Sequence, residues 1–169
     1  LEKHVPSADA LEAEEDALEA DQLAADGDDE AALAKLSEAL AIAPGDDAIR
    51  ADYVRRLLEV RRVEDARRVY EPLASKVMLD ARAGALGWWL EAYEAAERAR
   101  TPQALADAIA ADKRDFAARF ELAQTLLAAG QPAEAMDALL EILMRDKAWS
   151  DERARKLYVA ILELLGKPQ

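Results

Sequence analysis

The sequence predicts an all-α chain, a right-handed solenoid of about nine antiparallel helices that ends in a capping helix. Three observations carry that expectation. Alanine, leucine and charged residues dominate while aromatics make up only 5%, a composition of strong helix formers. Alternating β-branched runs, the mark of a strand, are missing. Apolar residues recur at three- and four-residue steps between breaks at Gly27, Pro44-Gly45, Pro72, Thr101-Pro102, Gly130 and Gly166.

Residues 1–9 read as the remnant of a linker, and a start at Leu-Glu-Lys-His-Val-Pro reads as part of something longer. His4, the single histidine, has no second His or Cys beside it and is taken as inert rather than as a metal ligand. A first helix is expected over about Ala8 to Ala25, and a second over about Asp29 to Ile42 behind an Asp28 or Asp29 cap. The third spans about Asp47 to Val60. The fourth starts near Val63 and must stop near Tyr70, because Pro72 would clash with a carbonyl one turn back. Residues 71–79 form an irregular connection. A fifth helix covers about Asp80 to Ala99, and Thr101-Pro102 caps a short sixth to about Ala111. Asp115 caps the seventh and Gly130 ends it; Pro132 opens the eighth; Ser150, Asp151 and Glu152 start the ninth, which ends at Gly166.

Two stretches superpose, Leu18 to Asp46 and Phe120 to Ala148. Each reads helix, glycine, short turn, alanine, helix. Gly27 and Gly130 lie 103 residues apart, which is three periods of about 34 plus one residue, and a helix–turn–helix unit of that period is the tetratricopeptide repeat. Small residues stand where the paired helices must approach, at Ala20 and Ala123 and at Ala32 and Ala135. Tyr70 and Ala66 fit a second copy, with Arg61 in place of the turn glycine. A third copy, about Ala81 to Asp115, is degenerate, and the extra residue is assigned to the 71–79 connection. The ninth helix reads as the cap, with Ala154, Leu157, Tyr158, Ile161, Leu162 and Leu165 as one apolar stripe.

The frame Asp115, Ala118, Arg119, Leu122, Ala123, Leu126, Gly130, Ala135, Leu139, Leu140 and Ile142 is followed by Asp146-Lys147-Ala148-Trp149-Ser150-Asp151, Ala154-Arg155-Lys156 and a closing Leu-Leu-Gly. Together these resemble the C-terminal region of bacterial thioredoxin-like co-chaperones with tetratricopeptide repeats, the YbbN or chaperedoxin type. The resemblance covers essentially the whole chain, and its specific part is Trp149 to Lys156. It implies that residues 10–169 form the helical repeat domain and that a thioredoxin-like domain lies upstream. It also implies a holdase that binds unfolding proteins and works with a chaperonin. Two departures stand out: Lys113-Arg114-Asp115, where a proline before the aspartate is usual, and Glu152, where glycine is often found.

The net charge of −13 is unevenly placed: residues 1–48 hold fifteen acids and two bases, whereas residues 49–169 hold twenty of each. Such a field repels nucleic acid and anionic membranes, so neither is expected as a partner, and the acidity reads as a solvated face or as a surface for a basic partner. The chain has no cysteine, so it offers no thiol or disulfide chemistry of its own and fits a reducing, cytoplasmic setting. No apolar run approaches the roughly 18 residues of a membrane span. Histidine–carboxylate clusters, phosphate loops and nucleophile elbows are missing, so neither an enzyme nor a cofactor is expected.

Tetratricopeptide arrays usually bind ligands on the face of the first helix of each pair, which here draws on Arg55, Trp89, Leu90, Tyr93, Phe120, Gln124 and Leu127. One of Trp88 and Trp89 is expected to pack with Leu86, Leu90 and Tyr93, and the other to lie over small residues or to face a partner. Arg55, Arg56, Arg61, Arg62, Arg67 and Arg68 are expected to ion-pair with the acidic residues 12–30, Trp149 to staple the ninth helix, and Arg155 and Lys156 to answer Asp146 and Asp151 or bind a partner. The alternative to a holdase is a scaffold for one fixed protein partner.

Overall fold

The computed structural model describes residues 5–166, so His4 lies outside the described residues. Nine α-helices are present among them: α1 (Ala8–Ala25), α2 (Asp29–Ile42), α3 (Asp47–Glu59), α4 (Val63–Tyr70), α5 (Ala81–Arg98), α6 (Pro102–Ala111), α7 (Phe116–Ala128), α8 (Pro132–Arg145) and α9 (Trp149–Leu165). A 3₁₀ turn, Glu71–Lys76, follows α4, where Pro72 rules out a continued α-helix. The fold is all-α, as the composition predicts. The chain divides into two compact units, one up to Ser75 and one from Lys76 onward.

Three hairpins close with the same turn. Gly27 (φ 84), Arg61 (φ 62) and Gly130 (φ 78) each occupy the left-handed region one residue past the helix cap. The amide that follows each reaches back five residues: Asp28 to the Leu23 carbonyl at 2.9 Å, Arg62 to Leu57 at 2.8 Å and Gln131 to Leu126 at 2.9 Å. These are Schellman closures, which satisfy carbonyls left over at a helix end. Glycine adopts this conformation freely, whereas Arg61 pays about 1–2 kcal/mol for its Cβ. The first helices of successive units share a second device. Asp46, Asp80 and Asp115 accept from the amides of Ile49 (3.1 Å), Arg82 (2.9 Å) and Ala118 (3.0 Å) and so cap α3, α5 and α7.

Those caps are 34 and 35 residues apart, which corrects the placement of the extra residue: it falls in the third copy and not in residues 71–79. The third copy also lacks the left-handed turn. Ala99 ends α5 at φ −68 and ψ 150, so the chain leaves extended. Thr101 then caps α6 through Oγ1 at 3.1 Å from the Ala104 amide, and α6 packs on α7. The expected third hairpin therefore does not form.

In the first unit α1 to α4 pack in chain order. Ala13, Ala20, Ala32, Leu36, Ala39 and Ile49 form one cluster. Ala20 and Ala32 are fully buried, as a close helix crossing requires. Tyr70 closes the end of α4, and burial raises its hydroxyl pKa above the ordinary range.

In the second unit the order is different. α5 packs on α7, α7 on α8, α8 on α9, and α9 returns to α5. The interior of this ring holds Phe116, Phe120, Ala123, Leu127, Leu139, Ile142, Leu157 and Ile161. The cap helix presents Ala154, Leu157, Ala160, Ile161 and Leu164 to it. Leu162 and Leu165 are exposed, so the buried stripe lies slightly round the helix from the expected one. Ser150 does not cap α9: Ser150, Asp151 and Glu152 sit at φ 48, 58 and 60, and Ala148 at the cap makes no side-chain bond. Trp149 stands 34 residues after Asp115, so the position that carries a capping aspartate in α7 carries a half-buried aromatic packed on the core here.

Candidate protein-binding surfaces

The candidate face splits between the units. Arg55 belongs to the first, where its Nε donates to Glu59 at 3.0 Å along α3. The other six residues share the second unit. Leu90, Phe120, Gln124 and Leu127 are buried, with Phe120 only 2% exposed. These four positions therefore offer no open face, and over Phe120 the covering groups come from α9. The Arg153 guanidinium lies 4.3 Å over the Phe120 ring, and Trp149 meets Phe116 edge-on at 6.2 Å and Phe120 at 5.6 Å. Arg153 also bonds Glu91 of α5 at 2.8 Å. The expected staple by Trp149 thus extends to α7 rather than staying within α9.

Trp89 and Tyr93 are half-buried and stack, with ring centroids 6.2 Å apart. The Trp89 Nε1 is buried without a hydrogen-bond partner among the described residues, a condition that costs about 1–3 kcal/mol. Trp88, also half-buried, packs on the same core and lines a shallow cleft of about 210 Å³ between α5 and α9. The floor is Gly84, Ala85 and Ala160, Val77 and Val159 stand at the edges, and Arg155, Lys156 and Glu163 form a charged rim. Arg155 pairs with Glu152 at 3.2 Å and Lys156 with Asp151 at 3.3 Å. Asp146 instead accepts from the Ala148 amide. These exposed pairs are weak, so the rim cations can exchange partners. The chain entering the cleft, Val77-Met78-Leu79, is open to solvent, with Met78 at 92% and Leu79 at 93%. Sequence reasoning missed this surface because the strap lies in an irregular connection, where no periodicity sorts inside from outside. The tryptophan pair was its one legible signal.

In the first unit a polar hollow of about 350 Å³ is lined by Arg50, Tyr53, Arg62, Asp65 and Arg68. Arg68 and Arg62 hold the Asp65 carboxyl below the usual carboxylate range. Arg50 donates to the carbonyls of Pro44 (3.0 Å) and Val69 (3.1 Å). Of the arginine strip, Arg56 reaches Asp21 at 3.4 Å and Arg62 reaches Glu30 at 3.7 Å, which is the expected pairing with the acidic hairpin. Lys35 is held by Glu19, which raises its pKa, together with Glu38 and Asp16. Among the described residues no group of three His, Cys, Asp or Glu is placed to hold a metal, and no helix is long and apolar enough to cross a membrane.

Helical hairpins of this period, with small residues at the crossings and a shared left-handed closure, define a repeat-built interaction module. Two tetratricopeptide-repeat family models match the chain, one over residues 23–87 and one over residues 95–169. The chain therefore carries a tetratricopeptide-repeat region, and these repeats make it a protein–protein interaction module. No curated protein matches it.

Proposed function

We propose that this module is the client-binding half of a cytoplasmic thioredoxin-like co-chaperone. In this reading it holds apolar segments of unfolding proteins on the cleft between α5 and α9 and presents them to a chaperonin. The observation that carries the reading is the pairing of an almost fully exposed Met78-Leu79 strap with an apolar cleft rimmed by Arg155 and Lys156. Exposed apolar surface of this kind marks a place of association, and methionine adapts to partners of varied shape. The co-chaperone assignment itself rests on the Trp149 to Lys156 segment and the closing helix.

The test is light scattering of a chemically unfolded model protein diluted into this protein at equimolar ratio. Suppression by the wild type and its loss in M78D/L79D/V159D support the reading. Equal protection by that variant removes the cleft, and no protection by the wild type removes the holdase. One dominant partner in a pull-down would favour a dedicated scaffold. A full reading frame without an upstream thioredoxin-like domain would overturn the family assignment.

A further inference from the structure

The face on α5, α7 and α8 that α9 fills is a binding groove whose occupant is known, because the chain supplies it. What ties α9 to its own groove is the segment from Asp146 to Glu152. That tie is poorly made. Ser150, Asp151 and Glu152 are three successive non-glycine residues in the left-handed region, a conformation that L-residues adopt singly and at a cost. The first turn of α9 has no side-chain cap. The turn is held by an Asp146 carboxylate on the Ala148 amide at 3.1 Å and a long Trp149 amide to Asp146 carbonyl contact at 3.4 Å. The corresponding turn before α7 has the same aspartate arrangement, Asp112 on the Arg114 amide at 2.9 Å, but then a capping Asp115 and no left-handed run.

The sequence also permits the alternative. From Ala133 to Leu165 there is no glycine and no proline, so nothing in the tie forbids continuous helix. If residues 146–152 become helical, α8 and α9 merge into one rod and α9 leaves its own groove. The groove is then open to a helix with the same buried set, Ala154, Leu157, Ala160, Ile161 and Leu164, and the same Arg153 for Phe120 and Glu91. A second copy of this chain carries that helix. We propose that the α9 groove accepts α9 of a second copy, giving a reciprocally exchanged dimer in which each α8 runs unbroken into its α9. Strain in the connecting turn drives the exchange, since the groove contacts are the same in both forms and only the turn differs.

The experiment uses the whole chain, heated through partial unfolding at high concentration, cooled, and separated by size with mass read by light scattering. The proposal expects a slowly interconverting dimer alongside monomer. S150G/D151G/E152G relaxes the monomer turn and weakens the rod, so the dimer-to-monomer ratio falls by at least about a hundredfold. S150A/D151A/E152A leaves the turn strained and favours the rod, so the ratio holds or rises. The chain lacks cysteine, so E91C/R153C treated with a bismaleimide that spans the length of the two lost side chains reports the exchange. Cross-linking the isolated dimer gives covalent dimer if α9 is exchanged and covalent monomer if it is not. Absence of dimer, intrachain cross-links within the dimer, or an unchanged ratio in the glycine variant would each overturn the proposal.

Discussion

The two units use the same 34-residue grammar to different ends. In the first, each helix packs on its neighbours in the chain, the interior is mostly aliphatic with alanine at the crossings, and charge pairs such as Arg56–Asp21 and Arg62–Glu30 tie the acidic hairpin to the next. In the second, α5 has no hairpin partner and α9 closes a ring against it around Phe116, Phe120 and Trp149. One turn accounts for much of the contrast. Where a left-handed residue stands at Gly27, Arg61 or Gly130, the next helix folds back. Where Ala99 stays extended, it does not. A repeat hairpin is thus specified at its turn, and a helix released by a missing turn is free to find its partner further along the chain.

The largest test of this contrast removes α9. Truncation after Asp146 uncovers Phe120, Leu127, Leu139 and Ile142, and burial of each such side chain contributes about 1.5–3 kcal/mol. The second unit is expected to lose its cooperative thermal transition by circular dichroism, while the helicity of the first remains. A single core truncation acts less drastically. Phe120→Ala, at a site 2% exposed under Arg153 and Trp149, is expected to cost about 3–5 kcal/mol. Leu36→Ala in the first unit, which leaves a smaller hole among alanines, is expected toward the lower end of about 2–5 kcal/mol. Urea melts would reverse the contrast if Leu36→Ala proved the more damaging.

The turns provide the next step down. Arg61→Gly removes a Cβ from φ 62 and is expected to stabilise by about 1 kcal/mol. Gly27→Ala and Gly130→Ala are expected to lose a similar amount. Ala99→Gly is expected to stabilise nothing, since the native φ of −68 is open to alanine already. If Arg61→Gly and Ala99→Gly behaved alike in denaturant titrations, turn conformation would no longer explain the difference between the hairpins.

Most of the fold was legible because its signals are local. Asp and Thr caps, Gly27 and Gly130 turns, and the stops at Pro44 and Pro72 fix helix ends by backbone chemistry within a few residues. The α9 contact with α5 was not legible, since it joins residues 62 apart such as Glu91 and Arg153 and no local pattern encodes it. The same helix also covers Phe120, one of the residues assigned to the open face. The spacing of Asp46, Asp80 and Asp115 held the clue to where the extra residue lies, but glycine spacing alone could not locate it. Position 61 was readable as a turn from the period, although arginine hides it from any search for glycine.

The smallest expected effect concerns how the open α5–α6 turn is held in place of a hairpin. Glu121 on α7 accepts from the Arg100 backbone amide at 2.7 Å, from Nε at 3.1 Å and from Nη2 at 2.7 Å. Arg100 hydrogen bonding holds the Glu121 carboxyl below its ordinary value of 4.5 and raises the guanidinium. A carboxylate whose folded pKa is depressed adds stability above its unfolded value, and that stability is lost as pH falls through the folded value. Glu121→Gln is therefore expected to be slightly less stable than wild type at neutral pH and equal to it once the medium is acid enough to protonate the native carboxyl. High salt should shrink the neutral-pH difference, since Arg100 is exposed and Glu121 partly so. Thermal melts of both proteins across that range decide the matter. A difference that persisted unchanged into acid would mean that Glu121 holds the turn by shape and not by charge.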